Sequence, residues 1–418
     1  FSRHSRFSSL IVYDSTCPYF YCPTKCNLSI SDVKDSNEFL RCLWSEMAKE
    51  FGTCGWQYIP IKDGSKNKIT FGFMNINQGT ALEVGITYKE KGSINNIYFL
   101  QNNGKEDIQK GTELYNRLKK VINVTKESVG KYQAILMQAT IKAYFPIMSY
   151  IGESFVILPM VDGDSQFSCI IKAYDVNQAS GYFARKVNQV MDFLSVETNA
   201  VFRRPNTRPG EETITLEKEI YQDDREFMDD LSLVDDYLVI SKEGKQLIEQ
   251  IASNEEMSPE LELFLKACSH YHSARALEEQ IYIRPDGKLV SMHGGNKTEI
   301  ATTLYLSALE VVTLIGFTED KCDSCGQPKF QIGRRVKELT SRYLPSDLVK
   351  EFVDYYNKRS KYLHAGQKLV TETPTISSIP LLDPDGINGC DFPFKIPLKN
   401  LGEWVSYCLR MYYKENLI

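Results

Sequence analysis

The spacing of apolar residues changes period several times along the chain, and each change marks an expected element. Phe39, Leu40, Leu43, Met47 and Phe51 recur at helical intervals within residues 36–51, with Asp35 or Ser36 placed to cap the helix they predict. From Trp56 to Leu100 the pattern becomes an alternation rich in β-branched and aromatic side chains. It predicts strands over residues 68–74, 81–88 and 94–100, separated by polar turns that bear Gly and Asn. Helical patterning returns over residues 106–123 and 129–151. Residues 154–159 and 167–174 then predict a strand pair joined by Asp162, Gly163 and Asp164.

Pro205, Pro209 and Gly210, set among charges, read as a linker, and the domain boundary is expected between residues 210 and 240. Beyond it the pattern is mostly helical. Ser258 and Pro259 open one helix as cap and first-turn proline, and a second runs over residues 298–315. A third region covers residues 332–344 and 346–363, broken at Pro345, with Ser346 able to cap its later half. After a Pro- and Gly-rich loop, residues 398–413 predict a last helix. The expected fold class is α+β: a mixed α/β region over residues 1–235, with a sensing or regulatory role, followed by an all-α bundle over residues 240–418.

Composition narrows the class. A chain of 418 residues, 42% hydrophobic and 25% charged, has material for about two to three domains and is not mainly disordered. Its longest apolar stretches, such as residues 154–160, have strand length, so no membrane partner is expected. Eleven scattered cysteines, and first residues that carry Arg3 and Arg6 but no apolar run of signal-peptide length, point to a reducing cytoplasm. The net charge of -5 is unevenly spread. Residues 1–210 hold 25 Lys+Arg against 19 Asp+Glu, residues 211–256 hold 4 against 15, and residues 257–418 hold 20 of each. The acidity is therefore local, and the overall charge does not argue against a nucleic-acid partner.

The sharpest candidate chemistry lies between Tyr355 and Gly366. Arg359 and His364 stand five residues apart near an expected helix C-terminus, projecting from adjacent turns at a moderate angle, with Gly366 suited to end the helix. An arginine can hold phosphate oxygens through two parallel hydrogen bonds, and a histidine can move a proton near neutral pH. Together these supply what cleavage of RNA needs in the absence of metal. The same two cations at a helix end also simply complement the helix dipole.

The segment from Arg359 through Ser360 to His364, on the third long helix of the expected bundle, resembles the signature of HEPN ribonuclease domains: an Arg, a polar residue, three to five residues and a His. Ala308-Leu309-Glu310, Arg334-Arg335-Val336 and Tyr355-Tyr356 resemble the ApeA-like subgroup, found in bacterial anti-phage abortive-infection proteins. The resemblance covers residues 240–418. It implies a helical bundle that dimerises and brings two Arg–His motifs into one RNA-cutting cleft, with no cofactor required for catalysis. Arg359 would bind the scissile phosphate, and His364 would transfer a proton or contact phosphate. Ser360 fills the polar position, where Asn, Asp or His is commoner. Glu310 matches an acidic position and would orient Arg359 or form a structural ion pair with it. The implied partners are RNA, a second copy of the chain, and a phage-derived trigger or regulatory partner. Some members of the family only bind nucleotides or partners, so a non-catalytic dimerisation or nucleotide-binding module is the alternative.

Cys322 and Cys325, followed by Gly326, have the spacing of half a zinc knuckle and are candidate ligands of a structural zinc, completed by Cys390, by one of Cys17, Cys22 and Cys26, or by another chain. They carry a third reading, a zinc-containing nucleic-acid-binding regulator. His270 and His272 face different sides of a helix and read as core or surface residues, and His293 reads as part of a turn. The acidic run from Asp223 to Asp236 reads as a solvated face. The chain has no P-loop, dinucleotide-binding glycine motif, Gly-x-Ser-x-Gly elbow or His-Glu-x-x-His helix.

Overall fold

The computed structural model describes residues 24–27, 30, 32–52, 54–63, 66–77, 80–89, 92–101, 106–160, 163–204, 219–222, 231–278, 281–283, 289–291, 295–318, 320–321, 328–329, 331–366, 381–382, 390–391 and 398–418. They combine helices with small antiparallel sheets, an α+β composition, in two compact units: Phe1–Gln133 and Ala134–Ile418.

In the first unit β1 (Thr24–Asn27), α1 (Val33–Phe51), β2 (Cys54–Asp63), β3 (Lys66–Asn77), β4 (Thr80–Tyr88), β5 (Ile94–Gln101), β6 (Glu106–Asp107) and α2 (Glu113–Ser128) follow in order. The strands form one antiparallel sheet, β1-β5-β4-β3-β2, with β6 added on β5. Phe39, Leu43 and Met47 of α1 and Leu118, Val121 and Ile122 of α2 share a core with Leu82, Val84, Ile97 and Phe99 of the sheet. Asp32, rather than Asp35 or Ser36, caps α1: its Oδ1 accepts from Asp35 N at 2.8 Å. Ser36 is drawn into tertiary contact instead, its Oγ accepting from Ile94 N at 3.0 Å.

The second unit begins with β7 (Gln133–Ile141), β8 (Tyr150–Ile151), β9 (Phe155–Pro159) and β10 (Ser165–Ala173), in sheet order β7-β10-β9-β8. The pair β9 and β10 is the one anticipated, with Ser165 opposite Pro159. The expected helix over 129–151 is a strand instead. Ile135, Met137, Ala139 and Ile141 recur at period two and turn inward, while Leu136, 61% exposed on the other face, imitates helical spacing. Likewise α2 starts at Glu113, because Glu106–Asp107 pairs with β5.

There follow α3 (Val176–Thr198), the hairpin β11 (Leu233–Val234) and β12 (Tyr237–Leu238), α4 (Lys242–Ala252), α5 (Pro259–Glu278), the hairpin β13 (Ile281–Ile283) and β14 (Leu289–Ser291), and α6 (Gly295–Val312). The strands β15 (Asp320–Lys321) and β16 (Pro328–Lys329) pair, then come α7 (Ile332–Tyr343), α8 (Ser346–Ala365), the strands β17 (Leu381–Leu382) and β18 (Cys390–Asp391), and α9 (Leu398–Asn416). Ser258 caps α5 as expected, accepting from Leu261 N at 3.1 Å. Ser346 does not cap α8: it is the first helical residue, and Pro345 stands at the cap in extended conformation without a side-chain bond.

The divide between units falls at Gln133, not between residues 210 and 240, and the reason lies in α3. Every residue from Phe193 to Thr198 is buried, so this end of the helix needs neighbours on all sides. Phe155, Phe167 and Phe183 stack at centroid spacings of 6.2 and 6.0 Å between sheet and α3. The same core continues through Phe193 and Phe264 to Tyr413, so the small sheet and the later helices share one interior. Among the described residues no helix is long and apolar enough to cross a membrane.

One close approach in the first unit gives a test. Gly85 pairs with Tyr98 across β4 and β5, and a Cβ on Gly85 would lie 1.8 Å from Tyr98 Cζ. The tyrosine ring therefore occupies the space a side chain would need. Gly85→Ala is expected to destabilise this unit by about 1–3 kcal/mol, read by denaturation of the full chain with hydrogen exchange at β4 and β5. Wild-type protection in the variant would show that the ring does not fill that space.

Candidate functional site

The candidate site is built where α8 meets α6 and α7. Val349 and Phe352 bury the first turns of α8, and Tyr356 lies against the backbone of α7 at Gly333, where a Cβ would stand 3.2 Å from Tyr356 Cε1. The helix ends as anticipated: Gly366 adopts φ 65°, in the left-handed region, and its N–H donates back to the Lys361 and Tyr362 carbonyls.

Residues three apart on one helix share a face, and two such pairs meet here, Ser307 with Glu310 on α6 and Tyr356 with Arg359 on α8. Arg359 donates from Nη1 to Glu310 Oε1 at 2.5 Å, and from Nη2 to Glu310 Oε2 at 3.0 Å and Ser307 Oγ at 3.1 Å. The side chains of Arg359 and Glu310 are 15% and 18% exposed. Tyr356 donates its hydroxyl to Glu310 Oε1 at 2.7 Å. Its pKa is pushed up to about 12, first by burial and then by its bond to the Glu310 carboxylate, while the Arg359 and Arg335 charges oppose the rise. The forked geometry leaves the guanidinium little freedom.

The structure thus brings Arg359 and Glu310 together. It leaves His364 and Ser360 exposed on the last turns of α8. Five residues of α-helix correspond to about 140° around the axis, so Arg359 and His364 leave the helix in widely different directions, not at a moderate angle. Within one chain Arg359 turns to α6 while His364 faces solvent. Ser307 and Tyr356 complete the cluster; the three-residue spacing to Glu310 and Arg359 was the signal that could have singled them out.

Cys322, Cys325, Cys17, Cys22, His293 and Asp162 lie outside the described residues. Among the described residues no group of three or more His, Cys, Asp or Glu side chains is placed to hold a metal ion. Asp164 pairs with Lys142 at 2.9 Å. His272 is held structurally, Nδ1 lying 2.8 Å from Asp192 Oδ1 and Nε2 3.0 Å from the Phe202 carbonyl.

The forked pair can be tested by itself. Arg359→Met and Glu310→Gln should each cost about 1–3 kcal/mol, because each leaves a half-buried partner unsatisfied. A double-mutant cycle read by chemical denaturation should give a coupling of about 1–2 kcal/mol. Coupling near zero would remove Glu310 as the group that positions Arg359.

Comparison with family models, with curated proteins and with solved structures finds no match for this chain.

Proposed function

We propose that residues 240–418 form an HEPN-like helical bundle acting as a metal-independent endoribonuclease in a homodimer, and that the protein serves as an abortive-infection anti-phage effector in the cytoplasm. The observation that carries this reading is the guanidinium of Arg359, positioned by Glu310, Ser307 and Tyr356 five residues before a solvent-facing His364 at the end of α8. Because the two side chains diverge on one helix, convergence on a single phosphate requires a second copy of the chain.

In that composite site Arg359 holds the non-bridging oxygens of the scissile phosphate and stabilises the charge that develops on them. The ribose 2'-hydroxyl attacks the phosphorus, and its proton passes to one His364 imidazole. The bond from phosphorus to the 5'-oxygen breaks, and that oxygen takes a proton from the second imidazole. The products are a 2',3'-cyclic phosphate and a 5'-hydroxyl, with no net change in atoms or electrons. Unrestrained cutting would be toxic, so restraint, released by a phage-derived trigger, falls to the preceding region.

A second reading has one observation in its favour. Both terminal nitrogens of Arg359 are already taken by Glu310, as they would be in a purely structural ion pair within a non-catalytic binding module.

Purified wild type should cleave RNA in the presence of a chelator and leave cyclic-phosphate ends. Arg359→Ala and His364→Ala, each shown by sedimentation to keep the wild-type assembly, should lose at least about a hundredfold in rate. Cleavage unchanged in either variant refutes the nuclease assignment, and absence of cleavage by active-concentration wild type on every RNA tested favours the binding module.

A further inference from the structure

One stripe of α6 carries apolar side chains that the fold leaves partly in water. Ile300, Leu304, Ser307, Val311 and Leu314 follow one another at intervals of four, three, four and three residues, so they lie along a single face for about 21 Å. Leu314 stands in the tight turn that continues the helix, its N–H donating to the Val311 carbonyl at 3.0 Å. Ile300 is 45% exposed and Leu314 42%, while Leu304 and Val311 are half-buried. The core is served by another face of the same helix, through Ala301, Tyr305, Leu306, Leu309 and Val312. A helix with an apolar row outside its core face has surface that a further partner would cover.

The row runs through the candidate site. Ser307, at its midpoint, accepts from Arg359 Nη2 at 3.1 Å, and Leu363, 49% exposed, stands one turn past Arg359 on α8. The five residues of the row carry no charge, so they select no oppositely charged partner. Their order reads alike in both directions: two large aliphatic side chains, a serine, two large aliphatic side chains. An antiparallel copy of the same helix crossing at Ser307 therefore sets Ile300 against Leu314 of the partner subunit and Leu304 against Val311 of the partner subunit. The small serines then fall where the two backbones come closest.

We propose that this row is the face on which a second copy of the chain docks, α6 against α6 about a twofold axis at Ser307. The need for a partner rests on the function proposed above, since Arg359 and His364 diverge within one chain and their site is incomplete without a second copy; the choice of surface rests on the row itself. Helices packed in this way lie about 8–10 Å apart. The two Arg359 guanidiniums, each anchored beside the crossing, thus face one cleft, and Leu363 continues the contact towards His364 at its rim.

The test is a charge swap read by sedimentation equilibrium of the full chain, which gives the dimer Kd. Ile300→Glu and Leu314→Lys, both at exposed positions, should each weaken the dimer at least about tenfold. The double variant, in which each of these contacts becomes a Glu–Lys pair, should recover to within severalfold of wild type. A wild-type chain that stays monomeric, or single variants with the wild-type Kd, would overturn the docking face, and a double variant no tighter than the singles would overturn the antiparallel crossing. If either charge unfolds the chain, as seen by circular dichroism, Ile300→Gln and Leu314→Gln carry the test: severalfold weaker dimers are expected, and an unchanged Kd overturns the proposal. Dimerisation that depends on Ile300 and Leu314 in a protein that cuts no RNA keeps the docking face and removes the nuclease; His364-dependent cleavage by a protein whose Kd ignores both residues does the reverse.

Discussion

A carboxylate removed from water must be fully satisfied inside the protein, and Glu197 imposes that requirement on the whole second unit. It is 1% exposed in the last turn of α3. It accepts from Ser241 N at 2.8 Å, from the Ser241 hydroxyl, and from the Tyr413 hydroxyl at 2.8 Å. Ser241 in turn caps α4, accepting from Gly244 N at 3.0 Å, and Tyr413 belongs to α9. One acidic side chain therefore sets the end of α3, the start of α4 and the seating of the last helix. Close by, Asn199 binds Tyr271 through its side chain at 3.1 Å and Arg275 through its carbonyl at 2.9 Å. The end of α3 cannot be parted from α4, α5 and α9 without exposing these groups, and the sheet is joined to the same helix through Phe167 against Phe183, so sheet and later helices share one core.

The cluster around Glu310 uses the same chemistry at a different depth. Again a carboxylate from one helix collects donors from another, including a tyrosine hydroxyl. Here the partners are near the surface, so the arginine is oriented by the fold and still within reach of solvent. Glu197 is shut away from water, whereas the Glu310 and Arg359 side chains keep partial exposure. The two clusters differ in depth, not in residue type.

Several elements were legible because local rules and tertiary demands agree. Ser258 with Pro259 opens α5, Pro345 separates α7 from α8, Gly366 ends α8, and the alternating runs of β3, β4, β5, β9 and β10 are strands. Where local and tertiary preferences compete, the reading failed. Exposed Leu136 made β7 look helical, Ser36 left the cap of α1 to bond Ile94, and the proline-bearing stretch after α3 suggested a boundary that the core does not respect. Charge and proline content report solvent contact of a segment. They do not report which faces of the preceding helix are covered.

By itself the sequence determined the succession of helices α5 to α9, including the one that carries Arg359 and His364, because these follow from periodicity and from terminating residues read within a few turns, but the expected all-α region also holds the short pairs β13–β14, β15–β16 and β17–β18, which it did not announce. Glu310 was named as a partner for Arg359 only through the resemblance to HEPN domains, not through periodicity or spacing. Only the tertiary structure decided that Ser307 and Tyr356 join that pair, that His364 turns away from it, and that Arg335 stacks on Phe317. The reason is geometric. Which residues of α6, α7 and α8 face one another depends on how three helices rotate and cross, and that is set by the packing of side chains distant in the chain.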